Sequence, residues 1–125
     1  FRGARGQTAA LNAQQLRVEA QRTLTRDRLL NSLRDLTQAR DNARQRAGVA
    51  HEEIQFALTV ERAEVQKLKI GDSNIFFVNQ RELATAEARQ KEVDALADYH
   101  RAVVDLEALT TPHSQPQLYR TPIEK

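Results

Sequence analysis

The sequence has no proline between Gln7 and Lys69, and this absence constrains the fold more than any other feature. Proline inside a helix removes a hydrogen-bond donor and clashes with the preceding turn, so a long stretch without it can remain helical. Only Gly48 interrupts the run of good helix formers, at a cost of about 1 kcal/mol relative to alanine. At 1.5 Å per residue, a helix over this stretch would be roughly 90 Å long.

Apolar and small residues recur along this helix at alternating steps of four and three. The pattern begins with Leu29, Leu33 and Leu36 and continues through Ala43, Ala47, Ala50, Ile54 and Ala57. A period of 3.5 residues sustained over several heptads predicts a coiled-coil seam. The alanines would let a neighbouring backbone approach closely.

A short polar run ends this helix and a second helical pattern follows it. Gly71 can adopt the left-handed conformation that terminates helices, and Asp72, Ser73 and Asn74 are all good N-cap residues. The next pattern predicts an apolar stripe formed by Leu83, Ala86, Val93, Leu96, Tyr99, Val103 and Leu106. The fold class is therefore all-α, a long antiparallel coiled-coil hairpin.

The segments of the chain follow from these signals. The last stretch, "TTPHSQPQLYRTPIEK", has three prolines and no period, which predicts a loop, an extended arm or disorder. We expect a connection over 1–6, a long helix over 7–70, a tip turn over 71–74, a return helix over 75–110 and a tail over 111–125.

Folding the chain at this turn leaves part of the long helix without a partner. In the antiparallel hairpin, residue i lies opposite about residue 144 minus i, so residues 7–34 extend beyond the return helix by roughly 40 Å. This overhang carries Leu11, Leu16, Val18, Leu24, Leu29 and Leu30. An apolar stripe needs burial, so we expect something outside this sequence to cover it.

The turn is followed at once by two adjacent aromatic residues, Phe76 and Phe77. Neighbours on a helix point about 100° apart, so both side chains cannot enter one seam. We expect one of them to close the hairpin and the other to face outward, where it would contact another chain.

Composition disfavours several classes of function. The arginines of residues 1–47 are spread round the helix without interleaved aromatic residues, which disfavours nucleic-acid binding. There is no cysteine, and "HEEIQ" lacks the second histidine of a zinc-binding HExxH helix. No phosphate-binding glycine loop or nucleophile–base arrangement is present, so we expect no enzymatic activity, cofactor or metal. The longest apolar run, Ile75 to Val78, is too short to span a bilayer.

One stretch resembles a known family. "KLKIGDSNIFFVNQRELATAEARQKEVDALADYHRAVVDLEAL" is similar to the C-terminal helical hairpin of the outer membrane efflux protein (TolC-like) family. The shared features are a glycine–serine turn, an apolar run, an asparagine and an alanine-rich helix that ends in Ala-Asp-Tyr. "RGARG" also looks like the point where such chains leave their barrel strands, and the resemblance covers roughly residues 1 to 110.

The resemblance implies a homotrimeric outer-membrane channel with a helical tunnel through the periplasm, of which this chain is most of the second half-repeat. Barrel strands outside this chain would anchor the channel in the outer membrane. A helix of the preceding half-repeat would then cover the overhang. The tip would dock a periplasmic adaptor protein, and an inner-membrane pump would act indirectly.

Two groups of residues take roles from the family. The resemblance places the adaptor contact at Gly71, Asp72, Ser73, Asn74, Ile75 and Phe76. It also implies that Phe77 and Gln80 stand where some members carry acidic residues that narrow the pore entrance. A neutral or hydrophobic constriction would replace that acidic ring.

Three functional hypotheses therefore remain open. The first is a passive exit duct of a tripartite efflux or type I secretion system, located in the outer membrane with this segment in the periplasm. The alternative is a soluble antiparallel coiled-coil scaffold with no channel role, and a nucleic-acid-binding hairpin is a third option.

Overall fold

The computed structural model describes residues 2–111 as two helices, α1 (Arg2–Lys69) and α2 (Ile75–Thr110). There is no β-strand in this part of the chain, and the all-helical prediction is confirmed. At 1.5 Å per residue, α1 is roughly 100 Å long and α2 roughly 54 Å. The predicted tail lies outside the described residues, apart from Thr111.

The first helix begins earlier than the sequence predicted. Residues 2–6, which were assigned to a connection, are already helical, and α1 ends at Lys69. Gly3 and Gly6 each disfavour a helix by about 1 kcal/mol. They are isolated among arginine and alanine, and the first turn has no proline, so nothing in the sequence stops the helix from extending to Arg2.

A paired hydrogen-bond arrangement around Gly71 ends α1. The Gly71 N–H donates to the Leu68 carbonyl at 3.2 Å, and the Asp72 N–H donates to the Lys67 carbonyl at 2.8 Å. Gly71 has a φ of 86°, the left-handed conformation that this Schellman termination requires. Lys67 and Lys69 lie in the last turn, where positive charge is favoured.

Asn74 caps the second helix. Its backbone is extended, and its side-chain oxygen accepts a hydrogen bond from the Phe77 N–H at 3.2 Å. Of the three cap residues that the sequence offered, the structure therefore uses Asn74. This leaves the Ser73 hydroxyl free for a contact across the hairpin.

The helices are antiparallel in the predicted register. Cross-helix pairs join Glu53 to Lys91 at 2.6 Å, His51 to Glu92 at 2.9 Å and Arg46 to Asp98 at 2.9 Å. The two residue numbers in each pair add to 143 or 144, which confirms the predicted pairing. These pairs are exposed, so each contributes little to stability and serves chiefly as a marker of the register.

A seam of small side chains joins the two helices, and we call it the alanine seam. Its members are nearly inaccessible and recur at heptad spacing on both helices; they are Ala43, Ala47, Ala50, Ile54, Ala88, Ala95 and Ala102. The prediction for α1 is confirmed from Ala43 to Ile54, whereas Leu36 and Ala57 are half-buried and Leu29 and Leu33 are exposed in the overhang. Alanine has the highest helix propensity, and its small side chain permits close approach of the helix axes.

The prediction for the apolar stripe of α2 is wrong in part. The seam uses Ala88, Ala95 and Ala102, with Tyr99, Val103 and Leu106 half-buried beside them. Leu83, Ala86, Val93 and Leu96 are exposed on other faces of the helix. The reason is the heptad phase. Tyr99 and Leu106 share the phase of the buried Thr85, whereas Leu83, Ala86 and Val93 each lie two residues before a buried position and so on another face of the helix.

Because α1 begins at Arg2, the overhang in the structure comprises residues 2–34, all of which are exposed. Its larger apolar side chains are between 38% and 66% accessible; they are Leu11, Leu16, Val18, Leu24, Leu29, Leu30 and Leu33. The chain exposes 11291 Å² in total, whereas a compact protein of this length exposes about 6,800 Å². The hairpin therefore has far more uncovered surface than a compact monomer.

Enlarging a seam alanine should destabilise the hairpin. We expect Ala88→Leu to lower the free energy of unfolding by about 1–3 kcal/mol, because the added methyl groups have no space between the closely packed helices. Thermal and urea unfolding followed by helical circular dichroism would measure this. Ala97→Leu is the matched control, since Ala97 is exposed on the same helix. Equal effects of the two substitutions would contradict the seam.

Candidate functional site

The hairpin tip carries an exposed apolar cluster formed by Ile70, Ile75, Phe76 and Phe77. These side chains are between 45% and 74% accessible. The rings of Phe76 and Phe77 meet edge to face with their centroids 5.8 Å apart. Four large apolar groups within eight residues, all reachable by solvent, form a surface suited to protein contact.

Neither phenylalanine closes the hairpin, and the expectation that one would do so is wrong. Val78 has this role, with only 4% of its surface accessible. Because α2 begins at Ile75, position 78 falls in heptad phase with the buried Thr85, one repeat further along the helix. Phe76 and Phe77 precede that position and lie outside the seam.

The residues predicted for adaptor contact lie together at this end of the hairpin. Gly71, Asp72, Asn74, Ile75 and Phe76 are exposed. Ser73 is half-buried, because its side chain turns toward α1. The turn is held by backbone hydrogen bonds on one side and by the Asn74 cap on the other, so it presents the cluster in a defined shape.

The residues predicted for a pore constriction, Phe77 and Gln80, are both exposed near the start of α2. They are three residues apart, which places their side chains on neighbouring positions of the helix surface. Their role at a pore entrance stays a prediction.

Beneath the tip lies a buried carboxylate that sequence reasoning did not single out. Glu64 is only 8% accessible. The Ser73 hydroxyl donates to Glu64 Oε1 at 2.5 Å, and Arg81 Nε lies 3.7 Å from Glu64 Oε2. We call Glu64, Ser73 and Arg81 the latch. The sequence does contain a signal for the burial of Glu64, because Glu64 lies seven residues after Ala57 and so takes the same heptad position.

A second polar contact lies at nearly the same level of the hairpin. The Thr85 hydroxyl donates to Glu61 Oε2 at 2.6 Å, and Thr85 is 3% accessible. Among residues 2–111, no buried side-chain nitrogen or oxygen lacks a hydrogen-bond partner. The polar seam near the tip is therefore satisfied internally, as buried polar groups must be.

The latch changes the acidity of its central group. The hydrogen bond from Ser73 is the main cause that lowers the pKa of Glu64 below its usual value of 4.5, and the positive charges of Lys67 and Arg81 lower it further. Partial burial opposes this shift without overcoming it. Glu64 is therefore ionised at neutral pH, where it holds both the turn and α2.

Each helix carries a second apolar face outside the alanine seam. On α1 this outer stripe consists of Val49, Phe56, Val60 and Ala63, and on α2 it consists of Phe76, Leu83, Ala86, Val93, Ala97 and Val104. All ten residues are exposed, and they recur at steps of three, four or seven. Phe56 is 75% accessible in the middle of a helix, far from the turn. Such spacing matches a second helix-packing face.

The described part of the chain has neither a metal site nor a membrane-spanning helix. No three histidine, aspartate or glutamate side chains there come together in a way that could hold a metal ion. Neither α1 nor α2 contains a segment long and apolar enough to cross a membrane. The exposed apolar surfaces of the tip and of the outer stripes are the features from which we infer a function.

Comparisons with protein-family models, with curated proteins and with solved structures found no match to this chain.

Substitutions at the tip should distinguish the exposed apolar cluster from Val78, the buried residue that closes the hairpin. We expect Phe76→Ser to leave the thermal unfolding midpoint nearly unchanged, because its ring is already in solvent. Val78→Ala should lower the free energy of unfolding by about 1–2 kcal/mol, because it removes buried methyl groups. Circular dichroism melts would compare the two variants, and a larger loss for Phe76→Ser would contradict this assignment.

Low pH should destabilise the tip, because protonation of Glu64 removes the charge that faces Arg81. Its pKa is depressed in the folded state, so its stabilising effect is complete above pH 4.5 and is lost as the pH falls through the lowered value. We expect the difference in melting temperature between the natural chain and Glu64→Gln to be constant near neutral pH. It should shrink below pH 4.5, and a difference that grows on acidification would refute the effect.

Proposed function

We propose that this chain is a wall segment of a TolC-like outer-membrane exit duct, whose hairpin tip docks a periplasmic adaptor protein. The segment would lie in the periplasm as part of a homotrimer, and barrel strands elsewhere in the protein would hold the duct in the outer membrane. An inner-membrane pump would supply the energy, and this chain would have no enzymatic role and no cofactor.

The outer stripes are the observation that carries this proposal. A scaffold made of one two-helix hairpin needs a single apolar face on each helix, and the alanine seam already supplies it. Here each helix has a second apolar face at helix-packing spacing, with Phe56 and Val93 largely exposed. A helix that packs on two sides belongs in a row of helices, and such a row can curve into a tunnel wall.

The overhang supports the same conclusion. It continues the apolar pattern of α1 past the point where α2 ends at Thr110. In a wall of helices, another helix of the same protein would continue where α2 stops. This arrangement would bury Leu11, Leu29 and Leu33, and the scaffold alternative offers no such cover.

The tip provides the docking surface. Its apolar cluster lies at the far end of the hairpin, on a turn that hydrogen bonds hold in one conformation. Preorganised apolar groups bind partners with little entropic cost. Phe77 and Gln80, which are exposed beside this surface, would line a neutral constriction at the entrance.

A cysteine crosslink in cells tests the proposal directly. These 125 residues contain no cysteine, so Asp72→Cys adds a single reactive site here, and any cysteines elsewhere in the whole duct protein would be replaced by serine. Asp72 is exposed and its side chain holds no part of the turn, whereas Ser73 belongs to the latch. We expect a short cysteine-reactive crosslinker to capture a periplasmic adaptor protein at this position.

Gln55→Cys serves as the matched control, because Gln55 is exposed on α1 well away from the tip. It should capture much less adaptor or none. Fractionation of the protein as a soluble cytoplasmic chain, with no adaptor captured at position 72, would favour the scaffold alternative instead.

A further inference from the structure

The buried side chains differ in chemistry between two regions of the hairpin. We call residues 43–54 and 88–102 the body, and residues 58–85 form the tip region. In the body, all seven residues of the alanine seam are apolar. Between residues 58 and 85, the buried residues are Glu64, Val78 and Thr85, and two of these three are polar. The interface between the helices therefore changes its chemistry close to the turn.

Glu64 joins three parts of the tip through one carboxylate. It extends from α1, accepts a hydrogen bond from Ser73 in the turn with one oxygen, and faces Arg81 on α2 with the other. Glu61 and Thr85 make a parallel connection between the helices. Glu64 thus ties both helices to the turn. The fully buried apolar residue of this region is Val78, and Leu58, Val65 and Leu68 are half-buried.

The two kinds of interface respond differently to movement. Apolar burial has no preferred direction, so the alanine seam loses stability only when its surfaces separate. A hydrogen bond is directional, and its net contribution is modest because water replaces the lost partner. Arg81 is exposed and Ser73 is half-buried, so solvent is close to the latch. The tip should thus open at a lower free energy than the body.

We propose that the tip is a separately opening unit, held closed by the hydrogen bond and ion pair that join Glu64 to Ser73 and Arg81. Release of this latch lets the ends of the helices separate while the alanine seam stays paired. The apolar cluster flanks the turn, so opening changes the spacing of its side chains. This last consequence, regulation of docking, rests on the proposed function.

Amide hydrogen exchange on the complete 125-residue chain tests the opening. We expect Ser73→Ala and Glu64→Ala each to speed exchange of the amides in residues 61–68 and 78–85 about tenfold. Amides in residues 43–54 and 88–102 should keep their natural rates. Glu53→Gln is the matched control, because it removes only an exposed pair with Lys91 and should leave the tip amides unchanged.

A double substitution shows whether the two groups act together. If Ser73 acts through Glu64, Ser73→Ala adds little to the effect of Glu64→Ala, because the partner is already absent. Fully additive effects would contradict the latch. Unchanged tip exchange, or equal acceleration along the whole hairpin, would also overturn the proposal.

A separate crosslinking measurement tests whether opening of the tip regulates docking. Crosslinking through Asp72→Cys would be repeated with Ser73→Ala in the whole duct protein, and a changed yield of captured adaptor supports regulation by the latch. An unchanged yield alongside faster tip exchange overturns the regulatory role and leaves the latch as a structural device. No adaptor capture in either background counts against the proposed function, while the exchange result decides the latch independently.

Discussion

The close packing of alanine against alanine is the constraint on which the rest of this hairpin depends. It draws two long helices together along one seam, and its heptad spacing sets a single register. That register determines where α2 ends against α1, and hence which part of α1 is left as an overhang. It also determines which residues face outward, because residues outside its heptad phase lie on other faces of each helix. The packing of the seam therefore determines which surfaces of the two helices stay exposed.

The hairpin then divides into regions with different physical roles. The alanine seam gives a stiff paired body, and the outer stripes and the overhang offer apolar faces for further helices. At the far end, a polar latch lies beneath a turn that displays Ile70, Ile75, Phe76 and Phe77. A paired body that ends in an exposed apolar tip, which we propose can open separately, is well suited to a wall segment with a docking end.

Much of the fold could be predicted because it rests on local signals. The absence of proline, the glycine at position 71 and the steps of four and three indicated two antiparallel helices, and ion pairs such as Glu53–Lys91 confirm the register. The seam of α2 was predicted only in part, because hydrophobicity ranks leucine above alanine and the predicted stripe followed Leu83 and Leu96 rather than Ala88 and Ala95. The latch was missed because Glu64 and Ser73 are nine residues apart and meet only when the chain turns. The proposed roles of the tip in adaptor docking and in a pore constriction could not be derived from the residues alone, because they depend on partners that one chain does not contain.

The most direct test of this account is the distance between spin labels at Gln15 and Thr110, measured on labelled chains diluted with unlabelled ones. Gln15 lies in the overhang and Thr110 ends α2. If the overhang projects beyond α2, the two positions are separated by roughly 30 Å along the helix axis. That distance would leave the apolar face of α1 available for a helix from outside the hairpin. A separation of about 10 Å, the spacing of packed helices, would mean that the overhang folds back on its own chain and would contradict the account.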